Sequence, residues 1–246
     1  MKKTKIICTM GPNSDDREVM KQLVLNGMDV ARFNFSHGNH EEHKKRYLQL
    51  RQVAEETGIP VAALLDTKGP EIRTGILKDG KKITLKEGQE FTLTTEEVVG
   101  DETMVHINYD GLNGDVKVGD RILIDDGKVE LEAEAGAAPS AGGCRIMARV
   151  VRGGLIKSGK SLAIEGKAVP MPTLTESDRK NIRAAVSYGI TGVMLPFVRN
   201  KEDLLALREA LKEAGAGEIQ VFAKIENMQG VESIKELLPY CDHVVI

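Results

Sequence analysis

The sequence predicts an α/β fold interrupted by an inserted β domain. Three observations carry this. A βαβαβ rhythm runs from the N-terminus to Asp66, it disappears between Pro70 and Val169, and it returns from Thr175 onward. The chain has 246 residues, which at about 150 residues per domain means one large domain or two modest ones, with ample core and no need of a staple.

Lys5 to Met10 is an apolar run stopped by Gly11-Pro12, as a buried strand is. Asn13 to Asp16 supplies caps for a helix with Val19, Met20, Leu23 and Val24 at helical spacing. Met28 to Phe33 reads as the second strand. Asn39 with Glu42 opens a helix through about Glu56, and Pro60 to Leu65 is the third strand, closed by Asp66. After Thr175 and Asp178, again at capping-box spacing, a helix runs to Tyr188-Gly189. Strand Thr191 to Leu195, helix Lys201 to Ala214, strand Ile219 to Ala223, helix Val231 to Leu238 and strand His243 to Ile246 follow. Six such strands suit a doubly wound sheet or most of a barrel.

Between these halves the period falls to two. Phe91 to Thr94 alternates, and Arg121 to Asp125 and Lys128 to Glu134 flank Asp126-Gly127, a strong hairpin signal. Glycines punctuate the strands, and Ala135 to Gly143 reads as a loop. The expected organisation is therefore an α/β domain at 1–69 and 170–246, split by a β domain at 70–169. The two chain crossings are expected to act as hinges, so that the insert changes position as a block.

Composition narrows the function. With 34 Lys+Arg against 37 Asp+Glu, the net charge of -3 gives no basic footprint for duplex nucleic acid. Aromatics are only 4% with no Trp, too few for single-strand stacking, and no apolar run reaches membrane-span length. The N-terminus is a poor signal peptide, and Cys8, Cys144 and Cys241 are odd in number and far apart. A cytoplasmic protein with reduced, mostly buried thiols is expected.

Both α/β alternatives put function at the C-terminal ends of strands. The second strand ends at Arg32, Asn34, Ser36 and His37. The third ends at Asp66, Thr67 and Lys68, followed by Glu71 and Arg73, and the fifth at Lys224, Glu226 and Asn227. Cations, carboxylates and neutral oxygens on one rim suit an anionic substrate with a hard metal ion, although each cluster alone also reads as caps and ion pairs. Lys224 and Glu226 share one face of an extended chain.

Two further patterns read as bland. Gly154 to Ser161 fits G-x-x-x-x-G-K-[ST], but the segment after Ser161, with Pro170 and Pro172 behind it, makes a poor helix where a phosphate loop needs one. His37, His40 and His43 sit at a helix start with no Cys or further ligand nearby, so a solvated helix start is expected rather than zinc.

The residues Arg32-Phe33-Asn34-Phe35-Ser36-His37-Gly38, Asp66-Thr67-Lys68-Gly69-Pro70-Glu71-Ile72-Arg73-Thr74-Gly75 and Lys224-Ile225-Glu226-Asn227 together resemble the signatures of the pyruvate kinase family. The resemblance covers the whole chain. It implies a partial (β/α)8 TIM-type barrel with an inserted antiparallel β-barrel lid domain. It implies phosphoryl transfer from phosphoenolpyruvate to ADP, giving pyruvate and ATP in glycolysis, with magnesium or manganese (Mg2+ or Mn2+) and potassium (K+). By resemblance Arg32 and Lys224 are catalytic, Arg32 binding the substrate phosphate and Lys224 stabilising the transferring group. Arg73 and Lys160, with His37 nearby, reach nucleotide phosphates. Glu226 holds magnesium, and Asn34, Ser36, Asp66 and Thr67 ligate potassium.

The sequence departs from the family pattern at two places. Ser161 to Gly166 replaces a GVNLPG-like stretch, and Pro196 stands where a small hydroxyl is usual before Phe197-Val198-Arg199. The apolar Val244-Val245-Ile246 end suggests a longer parent, homo-oligomeric by resemblance, or a partner that closes the fold. By resemblance a second metal carboxylate follows beyond this point, so weak magnesium affinity and little turnover are expected of the chain alone. Two alternatives remain: a metal-dependent aldolase or lyase-type barrel handling pyruvate or phosphoenolpyruvate, which Lys224 to Gly230 and the Asp242 region also resemble, and a non-catalytic ligand-binding fragment.

Overall fold

The computed structural model describes residues 3–135, 138–140, 142–167 and 170–246. The chain divides into two compact units, Met1–Pro70 with Met171–Ile246, and Glu71–Pro170. Among the described residues no helix is long and apolar enough to cross a membrane.

The first unit is built on six parallel strands: β1 (Ile7–Met10), β2 (Val30–Asn34), β3 (Ala62–Asp66), β4 (Gly192–Leu195), β5 (Gln220–Lys224) and β6 (His243–Val245). They lie side by side in the order in which the chain makes them. A doubly wound sheet reverses its strand order at a switch point, so the consecutive order excludes that alternative. Asp66 of β3 is in register with Asn34 of β2 and Met194 of β4, which brings the strand ends to one level. All four residues of β4 are buried, as a central parallel strand requires. At Gly192 the strands pack closely: a Cβ there would meet Phe222 Cε2 at 3.0 Å and Leu64 Cδ1 at 3.1 Å, so those side chains would have to shift by a few tenths of an ångström.

The helices begin where their caps stand. Asp16 accepts from the amides of Glu18 and Val19 at the start of α1 (Arg17–Leu25), and Asn39 accepts from Glu42 at the start of α2 (His40–Thr57). Thr175 and Asp178 form a reciprocal capping box on α3 (Glu176–Tyr188), and Asn200 caps α4 (Lys201–Glu213). Met20 and Val24 of α1 and Tyr47, Leu50 and Val53 of α2 bury their apolar face against Met10, Ala31, Phe33 and Ala63. Ile182, Ala185, Leu204, Leu207 and Leu211 of α3 and α4 do the same against Leu65, Val193, Leu195, Val221 and Ala223. The single helix expected over Val231 to Leu238 is instead two short helices, Met228–Glu232 and Ile234–Leu237, ending in a 3₁₀ turn at Leu238–Tyr240. Asn227 caps it early by accepting from Gly230 N, and Pro239 holds the tighter turn at its end.

The second unit is an eight-stranded sheet plus a separate two-stranded ribbon, Gly154–Ile156 with Ile83–Leu85. The hairpin predicted at Asp126-Gly127 forms between Arg121–Ile124 and Val129–Ala133. The sheet is mixed rather than wholly antiparallel, because Met104–His106 pairs parallel with Glu90–Thr94. The connection 95–103 carries the chain back alongside the strand it has just left, and Asp101 ties the return by accepting from the Thr103 and Met104 amides. The segment Ala135 to Gly143, expected as loop, contains a short strand, Ala138–Ser140, paired antiparallel with Gly143–Arg152. Residues 136, 137 and 141 lie outside the described residues.

Candidate active site

Asp66 is the hub of the first unit's rim. The Arg32 guanidinium donates from Nε to Asp66 Oδ2 at 2.9 Å, its Nη2 bonds the same oxygen, and its Nη1 donates to Thr9 Oγ1 at 2.7 Å. Lys224 Nζ lies 3.9 Å from Asp66 Oδ2 and 3.0 Å from Glu226 Oε1. Glu226 Oε2 accepts the backbone N–H of Phe197 at 3.1 Å. Two cations and two carboxylates from β2, β3, β5 and the residues just past β5 thus form one chain of contacts. Lys224 and Glu226 do share a face, as the alternation required.

Asp66 is 2% exposed, and its Oδ1 is buried without a partner. A buried carboxylate oxygen with nothing to accept is costly unless something cationic fills the place. Neutral oxygens stand on the adjoining segments. Asn34 Oδ1 accepts from the Ser36 amide at 3.0 Å, and the buried Thr67 hydroxyl donates to Met194 O at 3.1 Å, keeping its lone pairs free. Carboxylate, amide and hydroxyl oxygens are the donor set of a hard cation, and Asp66, Asn34 and Thr67 offer one of each, while Ser36 is placed beside them by its backbone amide. Among the described residues no three His, Cys, Asp or Glu side chains converge as an all-protein metal cage would. Glu226 fits a magnesium ion only in the usual way of that ion, with one or two carboxylates and the rest from substrate and water.

His37 is exposed and reaches this cluster only through its backbone. Its N–H donates to Asn34 O at 3.3 Å and its carbonyl accepts His43 Nε2 at 2.8 Å. At the helix start expected to be solvated, His37 and His40 are exposed, and His43 alone departs from the expectation. His43 is buried and stacked on Phe35 with ring centroids 4.1 Å apart, and burial holds its pKa below the usual histidine value. His40 bonds Asn181 instead.

In the second unit, Arg73 donates from Nε to Glu71 Oε2 at 2.7 Å and from Nη1 to Gly159 O at 2.6 Å. Lys160 Nζ donates to Asp125 Oδ1 at 2.8 Å. Arg73 is in register with Ser161, so the two cations share one end of the Ile72–Arg73 and Ser161–Ile164 pair. The residues after Lys160 are a strand and not a helix, which excludes a phosphate loop at Gly154 to Ser161. The thiols are free, Cys144 buried and Cys8 and Cys241 half-buried.

Several residues at these sites escape sequence reasoning. Thr9 orients Arg32 from the neighbouring strand. Asp178, legible only as a cap, is fully buried, and its Oδ1 accepts the amides of Lys68 at 3.1 Å and Gly69 at 3.2 Å, fixing the turn after β3. Phe197 adopts φ +55°, a left-handed conformation a bulky residue rarely takes, and this aims its N–H at Glu226. Asp125 reads in the sequence as hairpin flank only. The presence of Pro196 was the one available signal near Phe197.

A model of the pyruvate kinase barrel domain matches residues 1–246. The chain is 43% identical over 245 residues to pyruvate kinase of Geobacillus stearothermophilus, 40% over 246 residues to that of Bacillus licheniformis, and 42% over 247 residues to that of Staphylococcus aureus (strain MRSA252). Each comparison covers 100% of this chain and 41% of the relative, so the chain spans about two fifths of their length. With the whole chain matched, the chain belongs to the pyruvate kinase family.

Proposed function

We propose that this chain forms part of a cytoplasmic phosphotransferase that moves the phosphoryl group of phosphoenolpyruvate to ADP, giving pyruvate and ATP in glycolysis. The observation that carries the reading is the linked set Arg32, Asp66, Lys224 and Glu226 at the strand ends. We read its sheet as part of a (β/α)8 barrel and the insert as a β-barrel.

In the reaction the bond between phosphorus and the enol oxygen of phosphoenolpyruvate breaks, and a bond to a terminal β-phosphate oxygen of ADP forms. The enolate left behind takes a proton and becomes pyruvate. Phosphoryl transfer demands alignment and charge stabilisation more than a protein nucleophile. Arg32 holds the substrate phosphate, with Thr9 and Asp66 fixing its plane. Lys224, held between Asp66 and Glu226, presents its ammonium to the group in transit. Arg73 and Lys160 of the second unit bind nucleotide phosphates. Magnesium or manganese on Glu226, and potassium among Asn34, Ser36, Asp66 and Thr67, would supply neutralising charge for the phosphoryl oxygens.

The test is Lys224→Met in an active enzyme that contains this chain, assayed for pyruvate with coupled lactate dehydrogenase. A cation acting on developing charge predicts a fall in kcat of about 10²-fold or more with a smaller change in KM. An unchanged kcat makes Lys224 a structural residue and removes the reading.

A further inference from the structure

Asp125 stands between two lysines. Its Oδ1 accepts from Lys160 Nζ at 2.8 Å and its Oδ2 from Lys128 Nζ at 3.0 Å. The two hydrogen bonds, Lys160's the larger effect, hold its carboxyl below the usual carboxylate range. The residue is 8% exposed and takes φ +52°. Asp126 and Gly127 are left-handed as well, at φ +57° and φ +80°, and the Lys128 amide closes the turn on Asp125 O at 3.2 Å. This turn folds Lys128 back onto the carboxylate three residues before it.

The carboxylate and Lys160 are fixed to one another through the backbone. The Asp125 N–H donates to Ser161 O at 2.9 Å, and Lys160 exchanges two bonds with Thr74, its N–H to Thr74 Oγ1 at 2.9 Å and its carbonyl from Thr74 N at 2.8 Å. Lys128 is on the outside. Its side chain is 67% exposed against 29% for Lys160. The nearby Asp126 carboxylate accepts from Ser161 Oγ at 3.2 Å.

A phosphate that takes Lys160 takes it away from Asp125. The carboxylate cannot follow, because its backbone is pinned, and it would then face an anion with like charge and little water around it. A second cation already on its other oxygen removes that penalty.

We propose that Lys128 is the exchange counter-ion of the nucleotide site: it keeps Asp125 neutralised when Lys160 turns to a nucleotide phosphate, and so sets the affinity for nucleoside diphosphate without touching it. Lys128 is a positioning residue in this scheme and Asp125 the latch. The inference rests on the reading of Lys160 as a nucleotide-phosphate ligand.

The experiment is calorimetric titration of ADP into the chain and five variants at low ionic strength: Lys160→Ala, Lys128→Gln, Lys128→Arg, Asp125→Asn and the Asp125→Asn/Lys128→Gln double. Asparagine tolerates the left-handed backbone of position 125, so the turn survives. Lys160→Ala is expected to weaken ADP. Lys128→Gln is expected to weaken it roughly two- to five-fold, the range of a half-exposed ion pair. With Asp125 intact, Lys128→Arg is expected to keep the wild-type affinity, and in the Asp125→Asn background Lys128→Gln is expected to have no effect. An equal loss from Lys128→Gln in both backgrounds means that Lys128 meets the phosphate directly and overturns the proposal. So does a neutral Lys128→Gln beside an impaired Lys160→Ala, which leaves the reading of Lys160 standing. A neutral Lys160→Ala, or no ADP binding by the wild-type chain, removes that reading and the exchange with it.

Discussion

Gly69 ties the stability of the first unit to the geometry of its rim, and Gly69→Ala tests that link. The residue sits at φ +68°, and a Cβ on it would lie 2.5 Å from Pro196 Cγ and 3.3 Å from Phe197 Cδ2. The left-handed backbone alone costs an alanine about 1–2 kcal/mol. The contact with Pro196 must open by about 1 Å, and forcing atoms into a packed site costs about 1–3 kcal/mol. The proline Cγ can move only as far as its ring pucker allows, and the next residue, Phe197, is already strained at φ +55°. The expected loss is therefore about 2–5 kcal/mol.

The assay is amide hydrogen exchange at Val193 to Leu195 and Val221 to Ala223, the central strands of the unit, because the chain's two compact units need not unfold together. Pro196→Ala removes the Cγ that the new methyl strikes. In the double variant the contact share should return, leaving the backbone share of about 1–2 kcal/mol. The rim should respond too. The Gly69 and Lys68 amides bond Asp178, and a displaced turn moves the segment that carries Asp66 and Thr67. A loss below about 0.5 kcal/mol in Gly69→Ala, or no coupling to position 196, would refute the reasoning.

Two further outcomes are expected. The pKa of His43 is lowered by burial, so the unfolded chain binds the proton first as pH falls, and stability should decline below the unfolded histidine value of about 6.5. His43→Phe, which keeps the stack on Phe35, should flatten that slope in thermal melts at pH 5 to 7.5, and an unchanged slope sinks the assignment. Asp203 is buried, which raises its pKa, yet hydrogen bonds from Arg199 and Thr173 outweigh this and hold it below the usual carboxylate value. Its contribution is present above the unfolded value near 3.9 and lost as pH falls through the lower folded one. Asp203→Ala leaves the Arg199 guanidinium without the carboxylate it meets through Nε and Nη2, and should cost about 3–5 kcal/mol by urea unfolding. A loss under about 1 kcal/mol would assign Arg199 to solvent.

The sequence determined whatever depends on near neighbours. Asp16, Asn39 and Thr175 with Asp178 mark helix starts because a cap bonds amides two or three residues ahead. The change of period at Asp66, the Asp126-Gly127 hairpin and the failed phosphate loop at Lys160 are local in the same way. The residue clusters at three strand ends were legible because a strand's end and its polar residues adjoin in the chain. Only the tertiary structure decided what those clusters do to one another. Asp66 meets Arg32 and Lys224 through parallel register across β2, β3, β4 and β5, and register is set by the packing of whole helices on the sheet. Asp178 reaches back to Lys68 and Gly69 across the entire insert, so its second role has no signal near it in the chain. The burial of His43, the parallel pair in the insert and the left-handed Phe197 follow from what packs beside them. A polar residue's neighbours along the chain fix its hydrogen-bonding capacity, while the fold alone fixes which group uses it.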